Sequence, residues 1–363
     1  MSSRLAAELQ QRDPARLQEM RRFYNRRNIL ITGGLGFIGS NLAIILAELG
    51  ADITLVDSLV PEYGGNHFNI EPVKERVRIN VSDVRDRSSM DYLVQGRDLI
   101  FNLAGTLSHV DSMKDPFTDL EINCVSQLSI LESCRQHNPG VKLVFAGTRG
   151  QYGRTGSAPV DEQHPMRPTD VNGINNVAGE SYHLLYNDVY GVRASSLRLT
   201  NTFGPRHQMR HHRQGVLNWF LRQLIEGQQI RLYGTGEQVR DTNYVSDVVE
   251  AFLLAGMNES TNGEAFNLGG EPLSLKQFVE IAIEENGGGS YELIPFPVES
   301  RQIEIGDYVA DHRKFSSTCG WQPHVTVREG IRRSLEYYRE YKCHYWDAGD
   351  YAVTDSNRIP VGA

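Results

Sequence analysis

Gly33, Gly36 and Gly39 recur at intervals of three in ITGGLGFIGSNL, and Asp57 closes the next apolar run, ADITLVD. Glycine at the first position permits a tight turn. At the second it lets a pyrophosphate approach the backbone, and at the third it lets a helix pack closely on a strand. The free N–H groups and dipole at the start of the following helix favour an anion. A carboxylate at the end of the second strand can accept both hydroxyls of an adenine ribose and repels a 2′-phosphate, so NAD is expected over NADP. Phe37 and Ile38 belong to the same turn, while Asp83, Val84, Leu103, Ala104, Gly105 and Asn123 complete the expected crevice. A second group is polar without being ionisable: in PTDVNGINNVAGESYH, Asn172 and Asn176 lie four apart on one face of a predicted helix. A third is the histidine-rich RHQMRHHRQG, residues 206–215, which lacks carboxylate or cysteine company and reads as a basic loop, with no metal expected.

The elements that must position these residues follow from apolar periodicity. NILITGGLGFIGSNLAIILAELGADITLVDS reads as strand, glycine turn, helix, Gly50 as a helix stop and a second strand, a βαβ unit. RVRINVSDVRD supplies a strand ending near Asp83 and Val84, and RDLIFNLAGT one ending at Ala104 and Gly105; a helix near 120–137 and the strand VKLVFAGT come next. The expected fold is α/β, a Rossmann-type doubly wound parallel sheet with its crevice at the strand ends. After Asn201 the alternation gives way to shorter elements rich in glycine and proline, which implies a smaller α/β substrate-binding lobe. The expected boundaries are a helical extension over 1–27, the NAD-binding domain over 28–201 and 240–260, the lobe over 202–239 and 261–345, and a loosely ordered tail over 346–363.

TGGLGFIGSNL, NLAG followed by DSMKDP, LRLTNTFGP, VRDTNYVSDVV, EAFNLGG and GWQP together resemble the extended short-chain dehydrogenase/reductase family, specifically its sugar-nucleotide epimerases and dehydratases. The resemblance runs from about Asn28 to Tyr345, and RQGVLNWFLRQLIEG is most similar to the branch with UDP-glucose 4-epimerases and CDP-tyvelose 2-epimerases. It implies tightly held NAD, a transient keto sugar and no net oxidation. In such enzymes a tyrosine takes the hydroxyl proton, a lysine four residues later lowers its pKa and holds the nicotinamide ribose, and an upstream serine or threonine contacts the substrate.

Thr148, in AGTRGQYG, matches that hydroxyl, and Arg149 and Gly150 stand where the dehydratases carry an acidic pair, which argues against dehydration. Aligned from Thr148, the tyrosine falls on Asn172 and the lysine on Asn176. Neither can serve as the usual proton shuttle. Tyr152, His109, Asp111 and His164 are the nearby titratable candidates for a substitute base, whereas Tyr182 and Tyr186 lie too far along the helix. The alternatives are a redox-silent binding protein or isomerase, and a catalytically impaired variant. The resemblance further implies that Asn201 meets the substrate diphosphate, that Arg240 and Arg301 meet the phosphates or adjoining ribose, and that IRLYGTG, with Arg231 and Tyr233, meets the base. Arg149 completes the substrate set, the 206–215 loop is expected beside the phosphates, and a homodimer built on helices near 120–137 and 172–190 is implied.

Bulk properties set the class. With 363 residues, 40% of them hydrophobic, the chain can bury a substantial core. A net charge of -8 gives no general basic field for nucleic acid. Four cysteines without CxxC spacing read as reduced thiols, so a cytoplasmic location is expected. The start, rich in arginine, has no long apolar core of the kind a membrane span requires; Leu5, Leu9, Leu17 and Met20 share a helical face, which suggests a surface helix or an arm on a partner. The partner class is a nucleotide-diphosphate sugar linked through UDP, GDP or CDP.

Overall fold

A computed structural model of the protein describes residues 4–156 and 159–346, apart from the side chains of 299 and 300. Of the tail expected over 346–363, Trp346 is instead buried and donates its indole N–H to Glu226 at 3.0 Å, and the residues from 347 lie outside the described residues. Seven parallel strands build the central sheet: β1 (Asn28–Thr32), β2 (Asp52–Asp57), β3 (Val77–Val81), β4 (Leu99–Asn102), β5 (Lys142–Thr148), β6 (Arg193–Leu199) and, much later in the chain, Ala265–Asn267. Between these last two come β7 (Asn201–Phe203), β8 (Ile230–Tyr233) and β9 (Val239–Tyr244), so the seventh sheet strand is β10, followed by β11 (Glu271–Ser274) and β12 (Tyr291–Ile294). The sheet order is β10-β6-β5-β4-β1-β2-β3, which reverses direction at β1 and opens a crevice between the ends of β1 and β4. A small sheet β11-β9-β7 and the pair β12-β8 belong to the second lobe.

Two boundaries differ from expectation. β10 falls in the segment assigned to the lobe yet extends the main sheet on β6, while β9 falls in the segment assigned to the sheet domain yet pairs with β7 and β11. Short strands carry too little periodicity to say which sheet will receive them. The strands expected to end at Val84 and Gly105 also stop sooner, leaving Asp83 and Ala104 in the loops just beyond.

Side-chain alternation explains the layers, because successive strand residues face opposite sides. Ile29, Ile31, Phe101 and Val144 bury one face, and Leu30, Val56, Ile100 and Leu143 the other. The helices among the described residues are α1 (Arg4–Arg12), α2 (Pro14–Tyr24), α3 (Phe37–Glu48), α4 (Arg87–Leu93), α5 (His109–Lys114), α6 (Pro116–Leu120), α7 (Ser126–His137), α8 (Val171–Tyr190), α9 (Val216–Ile225), α10 (Val245–Met257), α11 (Leu275–Asn286), α12 (Val298–Ile303), α13 (Arg313–Cys319) and α14 (Val327–Tyr341). α3 and α10 cover the first face, and α4, α7 and α8 the second. The helix expected over 120–137 is interrupted by a π turn at Glu121–Val125, which carries Asn123 toward the crevice.

The N-terminal helices α1 and α2 pack into the chain's own core. Leu9, Met20 and Tyr24 are fully buried in the first core, and the Tyr24 hydroxyl donates to the Leu253 carbonyl at 2.6 Å. Arg12 and Arg16 both bind the Glu250 carboxylate on α10, whose side chain has no exposure. No helix among the described residues is long and apolar enough to cross a membrane. Replacing both arginines by alanine should leave Glu250 buried and unpaired, at a cost of about 3–5 kcal/mol, and adding Glu250→Gln should recover a large part of it. Denaturant midpoints of the double and triple variants check this.

Candidate active site

A cleft of about 1390 Å³ runs from the glycine turn, past Thr148 and the start of α8, to β8 and β9 of the smaller lobe. At its dinucleotide end the glycines have little freedom to change. Gly33 has φ +65°, and a Cβ on Gly39 would sit 2.3 Å from the Gly33 carbonyl oxygen. Gly36 precedes the first turn of α3 in an extended conformation, so the helix presents its free N–H groups to the cleft. The two Asp57 oxygens accept from the amides of Leu35 and Leu59 at 3.0 Å each, which fixes the carboxylate at the mouth of the turn. Burial raises its pKa, and the two amides oppose that. This donor and acceptor set fits a dinucleotide: the free N–H groups of α3 suit a pyrophosphate and the Asp57 carboxylate suits ribose hydroxyls, while Asp83, Val84 and Leu103 to Gly105 line the same end of the cleft.

Thr148 ends β5 beside the cleft, and its Oγ1 accepts from the Gly150 amide at 3.1 Å. The next residue, Arg149, forms no ion pair among the described residues: its Nη1 is out of reach of solvent and has no hydrogen-bond partner there. The guanidinium lies 5.6 Å over the Tyr308 ring, and burial, followed by the nearby Arg240, pulls it down to about 10. Arg240 by contrast is occupied, bonding the Glu304 carboxylate and, at 2.7 Å, the Gly306 carbonyl. Asn201 also offers a buried, unpartnered Oδ1. Arg231 and Tyr233 line the far end, where Tyr233 and Phe296 have ring centroids 5.3 Å apart.

The start of α8 answers what the asparagines do. Asp170 caps the helix, its Oδ1 accepting from the Gly173 amide at 2.8 Å. The Asn172 amide group donates to the Thr106 carbonyl at 2.8 Å and to Asp119 Oδ2 at 3.0 Å, while Asn175 donates to the other oxygen of Asp119 at 2.8 Å. Thr106 and Asn123 complete this buried network, the Asn123 amide donating to Thr106 Oγ1 at 2.6 Å. Asn176 lines the cleft but turns its Nδ2 back onto the Asn172 carbonyl at 2.9 Å. Beside them His109, on the first turn of α5, bonds Asp170 Oδ2 through Nδ1 at 2.8 Å.

Several expected residues are placed elsewhere. Tyr152 is fully buried outside the cleft; its hydroxyl donates to Asn267 at 2.7 Å and accepts from Arg198, and burial pushes it up to about 12. It therefore holds the buried Glu180–Arg198 ion pair in place and has no access to substrate. Arg301 is exposed and does not reach the cleft wall. His164 stacks edge-on against Tyr152, and Asp111 is paired with Arg213 at 3.0 Å. The 206–215 loop does border the cleft through Gln208, His212 and Arg213, but its histidines are not its charge. Burial lowers His207 and His212 and takes His211 down to about 4, so the basic character comes from the arginines. Sequence reasoning missed Asp170, Asp119, Phe296 and Glu304. Only Asp170 left a signal, as an aspartate immediately before a helical run.

The NAD dependent epimerase/dehydratase family matches residues 29–269. A UDP-glucose 4-epimerase of Mycolicibacterium smegmatis is 30% identical over 316 residues, covering 85% of this chain and 98% of that protein. A UDP-N-acetyl-alpha-D-glucosaminuronate decarboxylase of Bacillus cytotoxicus is 30% identical over 325 residues, covering 87% of this chain and 98% of its own. The crystal structure of Thermus thermophilus UDP-glucose 4-epimerase complexed with NAD is 31% identical, with a TM-score of 0.77, covering 86% of this chain and 99% of that one.

The unpaired Arg149 generates a two-sided expectation. Arg149→Met should raise the melting temperature of the ligand-free protein by relieving a buried charge and, if the cleft takes a nucleoside diphosphate, weaken binding of UDP as a probe by roughly 10- to 100-fold, as for a lost hydrogen bond to a charged group. Calorimetric titration with UDP alongside thermal melts separates the two effects.

Proposed function

The chain belongs to the NAD-dependent epimerase/dehydratase family, and from that premise we propose that it is an epimerase of a UDP-linked sugar with an unusual acid/base. NAD is its cofactor, and sugar-nucleotide epimerase or dehydratase chemistry is its class. When bound, NAD accepts a hydride from a sugar carbon and returns it.

The observation that carries the epimerase reading is the arrangement after β5. Thr148 stands beside the cleft in position to hold a substrate hydroxyl, while Arg149 and Gly150 follow it with no carboxyl group to drive elimination of water. The residues beyond it suit a nucleoside diphosphate: Arg149 and Arg240 place guanidinium groups along one wall, and Tyr233 with Phe296 offers an aromatic platform for the base. The UDP linkage is taken from the relatives' substrates. In this reading Asn172 and Asn176 occupy the places of the family's tyrosine and lysine. They supply hydrogen bonds and no titrating group.

One observation favours a second reading, a sugar-nucleotide-binding protein without hydride chemistry. The Asn172 side chain is already committed to Thr106 and Asp119, so the helix turn that would act on substrate serves as structure. The two readings part on one measurement. Small molecules released by denaturing freshly purified protein should include NAD or NADH at close to one per chain, and mixing the holoprotein with UDP-sugars should generate absorbance at 340 nm. Bound sugar nucleotide with no dinucleotide would favour the second reading.

A homodimer belongs to the same proposal. Phe117 and Val125, together with Ile174, Leu185, Val189 and Tyr190 of α8, are large apolar side chains left exposed on adjoining helices. Pairing of that face with its own copy would bury them in a four-helix interface. Sedimentation should give a dimer, and Leu185→Asp with Val189→Arg should give a folded monomer.

A further inference from the structure

Loss of hydride from a carbinol carbon requires a group to take the hydroxyl proton, and neither Asn172 nor Asn176 titrates to do so. We infer that His109, oriented by Asp170, is the acid/base that acts on the sugar hydroxyl in this chain. The inference rests on the epimerase reading.

Of the titratable side chains singled out around Thr148, His109 alone lines the cleft; Tyr152 and His164 lie behind the wall and Asp111 is tied to Arg213. His109 has 41% of its side chain exposed, and its Nδ1 is 2.8 Å from the Asp170 carboxylate, which is 2% exposed. Burial alone would raise Asp170, but the hydrogen bond and charge of His109, the Gly173 amide and Arg149 bring it below the usual carboxylate value. An ionised Asp170 can only accept, so the ring proton sits on Nδ1. Nε2 is left as the basic nitrogen, and it has no partner among the described residues. This is the orientation logic of a general base held by a buried carboxylate. His109 also converges with the substrate-contacting hydroxyl: a Cβ added to Gly150 would lie 3.2 Å from His109 Cε1 and 3.5 Å from Thr148 Oγ1. Glycine at 150 thus keeps open the space that the two side chains share.

The step balances as follows. His109 Nε2 takes the proton of the sugar hydroxyl while the hydride on the same carbon goes to oxidised NAD. The O–H and C–H bonds break, C=O forms, the sugar is oxidised and the dinucleotide reduced. On return, the imidazolium gives its proton back to the carbonyl oxygen as hydride is restored to the other face. Thr148 holds the oxygen between them.

The test uses the full-length holoprotein with UDP-glucose, UDP-N-acetylglucosamine and their uronic acids as probes. Single-turnover reduction at 340 nm is followed alongside calorimetric affinity. His109→Gln should slow reduction by roughly 100- to 10,000-fold, the span of general base catalysis, while changing affinity less than about 3-fold. In His109→Ala, added imidazole should restore at least about 10-fold of the lost rate. Asp170→Asn keeps a cap acceptor for α8 but can donate to Nδ1 and so favour the other tautomer; it should slow reduction without rescue by imidazole. A His109→Gln rate within about 3-fold of the unaltered protein would overturn the assignment and leave the epimerase reading standing. Absence of reduction by the unaltered protein with every probe, despite measurable binding, would overturn both.

Discussion

The carboxylate of Asp170 is the interaction on which the site depends. One oxygen satisfies the free amide of Gly173 and so fixes where α8 begins; the other holds the His109 ring. A helix start is normally an adjustable place, with four amides seeking partners. Here the same residue that settles the backbone also sets which way an imidazole faces, so α5 and α8 cannot move independently. Gly173 completes the constraint, since a Cβ there would meet Pro168 at 2.7 Å and the Gly150 carbonyl oxygen at 2.8 Å. The loop after β5, carrying Thr148 and Arg149, is therefore pressed against the first turn of α8.

Charge in the cleft is distributed unevenly for a physical reason. Arg240 and Arg149 are near enough to disfavour one another, and Glu304 bonds the first directly but acts on the second only through space. An unpaired guanidinium in a half-enclosed space is costly without a ligand and valuable with an anionic one. The aromatic pair beyond it carries no net charge and suits the flat, weakly polar face of a base. The cationic and the aromatic parts of the cleft are thus separated along one wall, from the end of β5 to the end of β8.

How much of this was legible in the sequence depended on whether a residue's role is local. The glycine turn and Asp57 could be read directly, because backbone freedom and strand position are encoded within a few dozen residues. The parallel sheet followed from alternating strand and helix patterns. Tyr152 and Arg301 show the opposite case: a tyrosine four residues from Thr148 looks near the chemistry, yet the turn at Arg149–Tyr152 rotates it into the core beside Arg198. Asp119 was invisible for the same reason, since its three partners come from Thr106, Asn172 and Asn175, and only the fold brings them together.

That network bears on why asparagine can stand at 172 and 175 at all. Asp119 is 3% exposed, and a buried carboxylate needs donors on each oxygen. The two asparagine amides and the Thr106 hydroxyl supply them without adding a charge. A tyrosine at 172 would bring a single donor and a ring to be accommodated against α6, and would remove one of the two donors to Asp119 Oδ2 and one of the two to the Thr106 carbonyl. The first turn of α8 is therefore built around the asparagines as a set. A site organised in this way gains its proton acceptor more readily from the adjoining α5, where His109 already has a buried carboxylate to orient it.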